Sequence, residues 1–153
     1  MRELLVRRDV MICFTTLSCL LTALALTSEN PDLGALATCT SWGTVTSFSA
    51  AIFLDPTCYR RLRRKRCWSF PMFCVGNLSV HFVPLALVPY SHVHAPWHGL
   101  AGAALFYAWA LMVSKGTLCL DDVYAGMTPT EWKCLVGIFM YTSLATGLVL
   151  FFL

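Results

Sequence analysis

His92, His94 and His98 stand as H-x-H-x3-H, a spacing at which imidazoles can hold zinc or copper. The first two alternate as on an extended segment, and His98 opens the helix that follows. The pattern reads as unaccompanied by Cys, Asp or Glu on its side of the chain, and Pro89, Pro96 and Trp97 mark an interfacial turn. No metal site and no cofactor are therefore expected. The second polar constellation is Asn77 with His81, four residues apart and so on one face of a helix. Polar groups inside a membrane segment face protein or water and are candidate functional positions. Two roles stay open for the pair: hydrogen-bonded glue between helices, or the lining of a path for an ion or small solute. Asn77-Leu-Ser79 spells a glycosylation sequon, but it falls within an apolar stretch and should be unmodified.

Nothing else in the chain offers catalysis. There is no nucleophile elbow, phosphate-binding glycine loop or H-E-x-x-H, and Asp121-Asp122, the one acidic doublet, lacks the partners an acid–base pair requires. No catalytic residue is assigned and the protein is expected not to be an enzyme. Eight cysteines invite a disulfide framework. Their placement argues against it: Cys13, Cys19, Cys39, Cys74 and Cys134 lie in apolar stretches, and Cys58, Cys67 and Cys119 lie on the side where thiols stay reduced. Cys58 and Cys67 bracket a basic run, a placement suited to reversible S-palmitoylation.

The elements that carry these residues are set by hydropathy. With 58% apolar and 12% charged residues and a mean hydropathy of +0.67, there is too little polar surface to coat a soluble globule. A helix needs about 20 apolar residues to cross a hydrocarbon core of about 30 Å. Five stretches approach that length: 10–26, 33–54, 69–90, 97–113 and 132–153. The expected architecture is all-α, a single polytopic transmembrane bundle over residues 1–153. The first stretch also resembles a signal peptide, but Thr27–Asn30 offers no clear small-x-small cleavage site, so a retained helix is preferred.

Orientation follows from the cations. All eleven Lys and Arg residues fall in three groups: Arg2, Arg7 and Arg8; Arg60, Arg61, Arg63, Arg64, Lys65 and Arg66; and Lys115 with Lys133. The positive-inside rule then places the N-terminus in the cytoplasm and the C-terminus at the outer or lumenal face, leaving the identity of the membrane open. Six cations within 60–66 could also attract anionic lipid headgroups, at about 1 kcal/mol each near the surface. A net charge of +3 confined to short loops does not make a nucleic-acid surface.

Small residues mark where helices can approach. Gly43-x3-Ser47-x3-Ala51, Gly99-x3-Ala103 with Gly102, and Ser143-x3-Gly147 each form a stripe, and the three are expected to meet within the chain. Thr128-Pro129-Thr130-Glu131 reads as a capping box with proline at the first helical position. Asp55-Pro56 reads as a helix stop, and Pro84 and Pro89 should kink or break the third stretch.

The order Tyr59-Arg60, basic loop, helix, short outer loop, then His98-Gly-Leu-Ala-Gly102-Ala103-Ala-Leu-Phe106-Tyr107, together with Glu131-Trp132, resembles the damage-regulated autophagy modulators and their multispan relatives. The likeness covers about residues 34–113 plus that dipeptide; the family has six spans where five are predicted here. The resemblance implies a non-enzymatic role in autophagy or membrane homeostasis and supplies no catalytic residue. Partners on this reading are membrane lipids and other membrane proteins.

Overall fold

A computed structural model describes residues 14–28, 30–55, 57, 60, 61, 64, 67, 69–88, 95–114 and 127–152, the side chains of 73, 77, 78 and 114 excepted. Throughout the described residues the fold is all-α, with helices α1 (Phe14–Ser28), α2 (Pro31–Leu54), α3 (Phe70–His81), α4 (Val83–Leu87), α5 (Pro96–Ser114) and α6 (Pro129–Phe152).

Each long helix starts where local chemistry tells it to. Asn30 caps α2, its side-chain oxygen accepting the Asp32 N–H at 2.9 Å. Pro31 occupies the first helical position, where a missing N–H costs nothing, and Asp32 puts a negative charge near the positive end of the helix. The helix therefore begins two residues before the expected position 33. At α6 the Glu131 N–H donates to Thr128 Oγ1 at 3.3 Å, and Glu131 Oε2 accepts the Thr128 N–H at 2.7 Å, a reciprocal capping box.

The stretch 69–90, expected to kink or break at its prolines, contains two helices among its described residues. Pro84 has no N–H to give the carbonyl of Val80, so the ladder stops at His81 and resumes as the five-residue α4. Cys19 Sγ, on α1, lies 3.7 Å from that freed carbonyl and donates a weak hydrogen bond to it.

Helix α2 is the hub. It packs against α1, α5 and α6 and also touches α3 and α4. Its interior face is made of small side chains: Ala35, Ala37, Cys39, Thr40, Ser41 and Ala51 are all buried. Seven of its positions are Ser or Thr, and six of these hydroxyls donate back to a carbonyl one turn earlier, as Thr44 does to Thr40 at 2.8 Å. Their protons are spent inside the helix. Large apolar residues point the other way: Phe53 is 84% exposed, Phe152 81% and Tyr141 75%, with Leu24, Phe70, Met72 and Val75 also exposed. Among the described residues the large-residue core is aromatic, with Phe106 and Phe139 stacked at 3.9 Å and Phe14 edge-on to both.

Among the described residues one helix, α6, is long and apolar enough to cross a membrane by length and composition, where the hydropathy reading expects five spans. The reasons differ from helix to helix. The Pro84 break holds α3 to 12 residues, α1 is described over only 15, about 22 Å at 1.5 Å per residue, and the hydroxyls of α2 lower its hydropathy.

Candidate functional site

Two groups of polar and small residues are brought together by this packing, one at the end of the bundle where α2 and α5 begin, the other where all five longer helices converge.

At the first, α5 and α6 cross through glycine. Ser143 Oγ donates to the Gly99 carbonyl at 3.2 Å. A Cβ on Gly99 would stand 2.6 Å from the Ser143 carbonyl oxygen, and one on Gly102 would stand 2.5 Å from Ser143 Oγ and 3.2 Å from the Thr40 methyl. Ala103 and Ser143 are buried beside them. The stripe on α2 is used differently: Gly43 lies under the ring of Phe139, 2.8 Å from where its Cβ would be, and Ser47 faces a cavity.

The same end holds His98, 1% exposed. Its Nδ1 lies 3.0 Å from the Ala95 nitrogen and 3.1 Å from the Ala95 carbonyl oxygen, and its Nε2 lies 3.0 Å from Asp32 Oδ1, a carboxylate oxygen that accepts. This corrects the expectation that no acidic residue accompanies the histidines. The hydropathy reading begins the second stretch at 33 and so leaves Asp32 outside it, but the Asn30 cap draws Asp32 into the first turn of α2, within reach of α5. Among the described residues no group of three His, Cys, Asp or Glu could hold a metal ion. His92 and His94 lie outside the described residues. What the arrangement does is tie the start of α2 to the start of α5.

The second group surrounds a cavity of about 30 Å³ lined by Phe14 and Thr15 of α1, Thr44, Ser47 and Phe48 of α2, His81 of α3, Phe106 and Trp109 of α5, and Trp132, Leu135 and Phe139 of α6. His81 is buried, its ring stacked on Phe48 with centroids 3.8 Å apart and planes 17° from parallel. Its Nδ1 is buried with no hydrogen-bond partner among the described residues. Asn77 sits one turn earlier on the same helix, and its side chain lies outside the described residues.

The basic segment is only partly described. Arg61 pairs with Asp55 and donates to Thr57 Oγ1, and the Asp55 carboxylate accepts the Thr57 N–H at 3.0 Å. The Arg61 hydrogen bond, then that of Thr57, holds the Asp55 carboxyl below its ordinary range. Arg64 is exposed; Arg63, Lys65, Arg66 and Cys58 lie outside the described residues. Cys67 is an exposed free thiol at φ 52°, a left-handed conformation that closes the turn after Arg64. Cys19, Cys39, Cys74 and Cys134 form no disulfide among the described residues.

Sequence reasoning missed the Asp32–His98 tie, the Asp55–Arg61 pair and the Phe14–Phe106–Phe139 cluster. A signal existed for the first, since Asn30-Pro31-Asp32 has the same grammar as Thr128-Pro129-Thr130-Glu131: cap, proline, acid in the first turn. The class the fold defines is an all-α helical bundle with small residues inside and large apolar residues outside. No protein-family model, curated protein or solved structure matches the chain.

Proposed function

We propose that the chain is a multi-pass α-helical membrane protein of about five spans, cytoplasmic at its N-terminus. In this reading it acts without catalysis, as a structural or regulatory component associating with other proteins in the bilayer. The observation that carries the reading is the inverted distribution of residue size. Helices in water bury their large apolar side chains, whereas helices in lipid gain little by doing so and associate through small residues that let backbones approach. Here Gly99, Gly102, Gly147 and the α2 residues Thr40, Ser41, Thr44 and Ser47 are inside, and Phe53, Tyr141 and Phe152 are outside.

Confinement of Lys and Arg to three groups supports the orientation, and the basic segment supports contact with anionic headgroups. The cavity at His81, about 30 Å³, has room for one or two waters, which favours packing over passage of a solute through Asn77 and His81. The process served is read only from the resemblance to the autophagy modulators, and membrane homeostasis is the broader form of that proposal.

Tags at each end, probed by protease in sealed membranes, should be protected on opposite sides. Both ends cytoplasmic would refute the five-span topology. Purified protein in liposomes should show no proton or ion flux above empty vesicles; flux lost on His81→Leu would replace the structural reading with a conduit.

A further inference from the structure

The cavity at His81 has a chemistry that the proposed function does not use. Its walls are mainly aromatic, and the residues with polar side-chain atoms among them are Thr15, Thr44, Ser47, His81, Trp109 and Trp132. The Thr44 hydroxyl proton is given to the Thr40 carbonyl at 2.8 Å and that of Ser47 to the Gly43 carbonyl at 2.7 Å, so both oxygens present lone pairs to the cavity. His81 Nδ1 is buried and without a partner among the described residues, on a ring stacked against Phe48. A molecule that suits these atoms must donate to the hydroxyl oxygens and either donate to or accept from Nδ1, according to tautomer. It must also fit a space of about 30 Å³, where one water occupies roughly 10–15 Å³ on the same measure. Organic ligands are too large, and a cation would find too few oxygens.

We propose that this cavity is an internal hydration site, in which one or two water molecules bridge His81 Nδ1 to the hydroxyl oxygens of Thr44 and Ser47. Such water joins α3 to α2 at a point where the two helices share a ring stack and no direct polar bond among the described residues.

The test uses full-length protein with ¹⁵N-labelled histidine in lipid nanodiscs, reading water-to-imidazole magnetisation transfer, with the His81 signal assigned by its loss in His81→Phe. Wild type should show transfer to His81 Nδ1. The Thr44→Val, Ser47→Ala double variant should lose it, and each single variant, which carries the test if the double does not fold, should weaken it at least twofold. His81→Phe should fold with an unchanged Tm, because an apolar ring needs no bridging water. Absence of transfer in wild type overturns the proposal, as does transfer undiminished in the hydroxyl variants. A Nδ1 signal insensitive to those variants but shifted by Asn77→Leu would identify the amide as the partner instead, and equally overturns it.

Discussion

Gly99 and Gly147 meet backbone to backbone: a Cβ built on Gly147 would lie 2.8 Å from both the nitrogen and the Cα of Gly99. No flexible side chain stands between them to give way, so the distance between α5 and α6 at this point is fixed by the absence of both side chains.

Gly147→Ala should therefore destabilise the bundle by about 1–3 kcal/mol, the usual range for overpacking, and Gly147→Leu should prevent it from forming. Gly137 lies on the same helix with nothing within 4 Å of its Cβ position, so Gly137→Ala should be neutral or stabilising by up to about 1 kcal/mol through helix propensity. Unfolding in detergent followed by circular dichroism checks both. Equal losses in the two variants would contradict the contact.

The tie between α2 and α5 predicts a graded pair. Asp32→Ala removes the acceptor at Nε2 and should cost about 1 kcal/mol, the net value of one such bond. His98→Ala empties a buried site and should cost about 2–4 kcal/mol. In the double variant the two losses should not add, since removing either partner already breaks the bond.

Thr128 and Glu131 should behave as one cap. Thr128→Ala should lower stability by about 1 kcal/mol, visible as faster amide exchange in the first turn of α6. Thr128→Ser, which keeps the hydroxyl, should leave exchange as in wild type.

The Asp55–Arg61 pair gives a pH dependence whose sign is set by the lowered carboxyl pKa. A carboxyl more acidic in the folded than in the unfolded state contributes stability that is full above the ordinary value of 3.8 and disappears as pH falls through the lowered value. Wild type should thus lose Tm relative to Asp55→Asn as pH is taken from 5 to about 3, and the two should run parallel above pH 5. Arg61→Gln should shift the acid loss to higher pH.

Much of this arrangement can be read in the chain before it folds, and the parts that cannot have a common cause. Helix starts at Asn30 and Thr128 and the break before Pro84 are local events, determined by residues within four positions of each other. The meeting of Asp32 with His98 spans 66 positions and that of Ser143 with Gly99 spans 44. Nothing in either segment names the other. The stripes of small residues indicate that close approach will happen without saying which stripe meets which. In the folded chain Gly99 faces Gly147, whereas Gly43 receives the ring of Phe139. The cavity at His81 is further from the sequence still, since it needs five helices at once.

The self-bonded hydroxyls of α2 bear on how such a protein diverges. Because Thr38, Thr40 and Ser49 spend their protons on their own helix, what a neighbouring helix meets there is mainly a volume. Threonine and valine, or serine, alanine and cysteine, present much the same volume. The hub of this bundle is thus written in an alphabet of near-synonyms, and two chains could fold alike around it while sharing few letters.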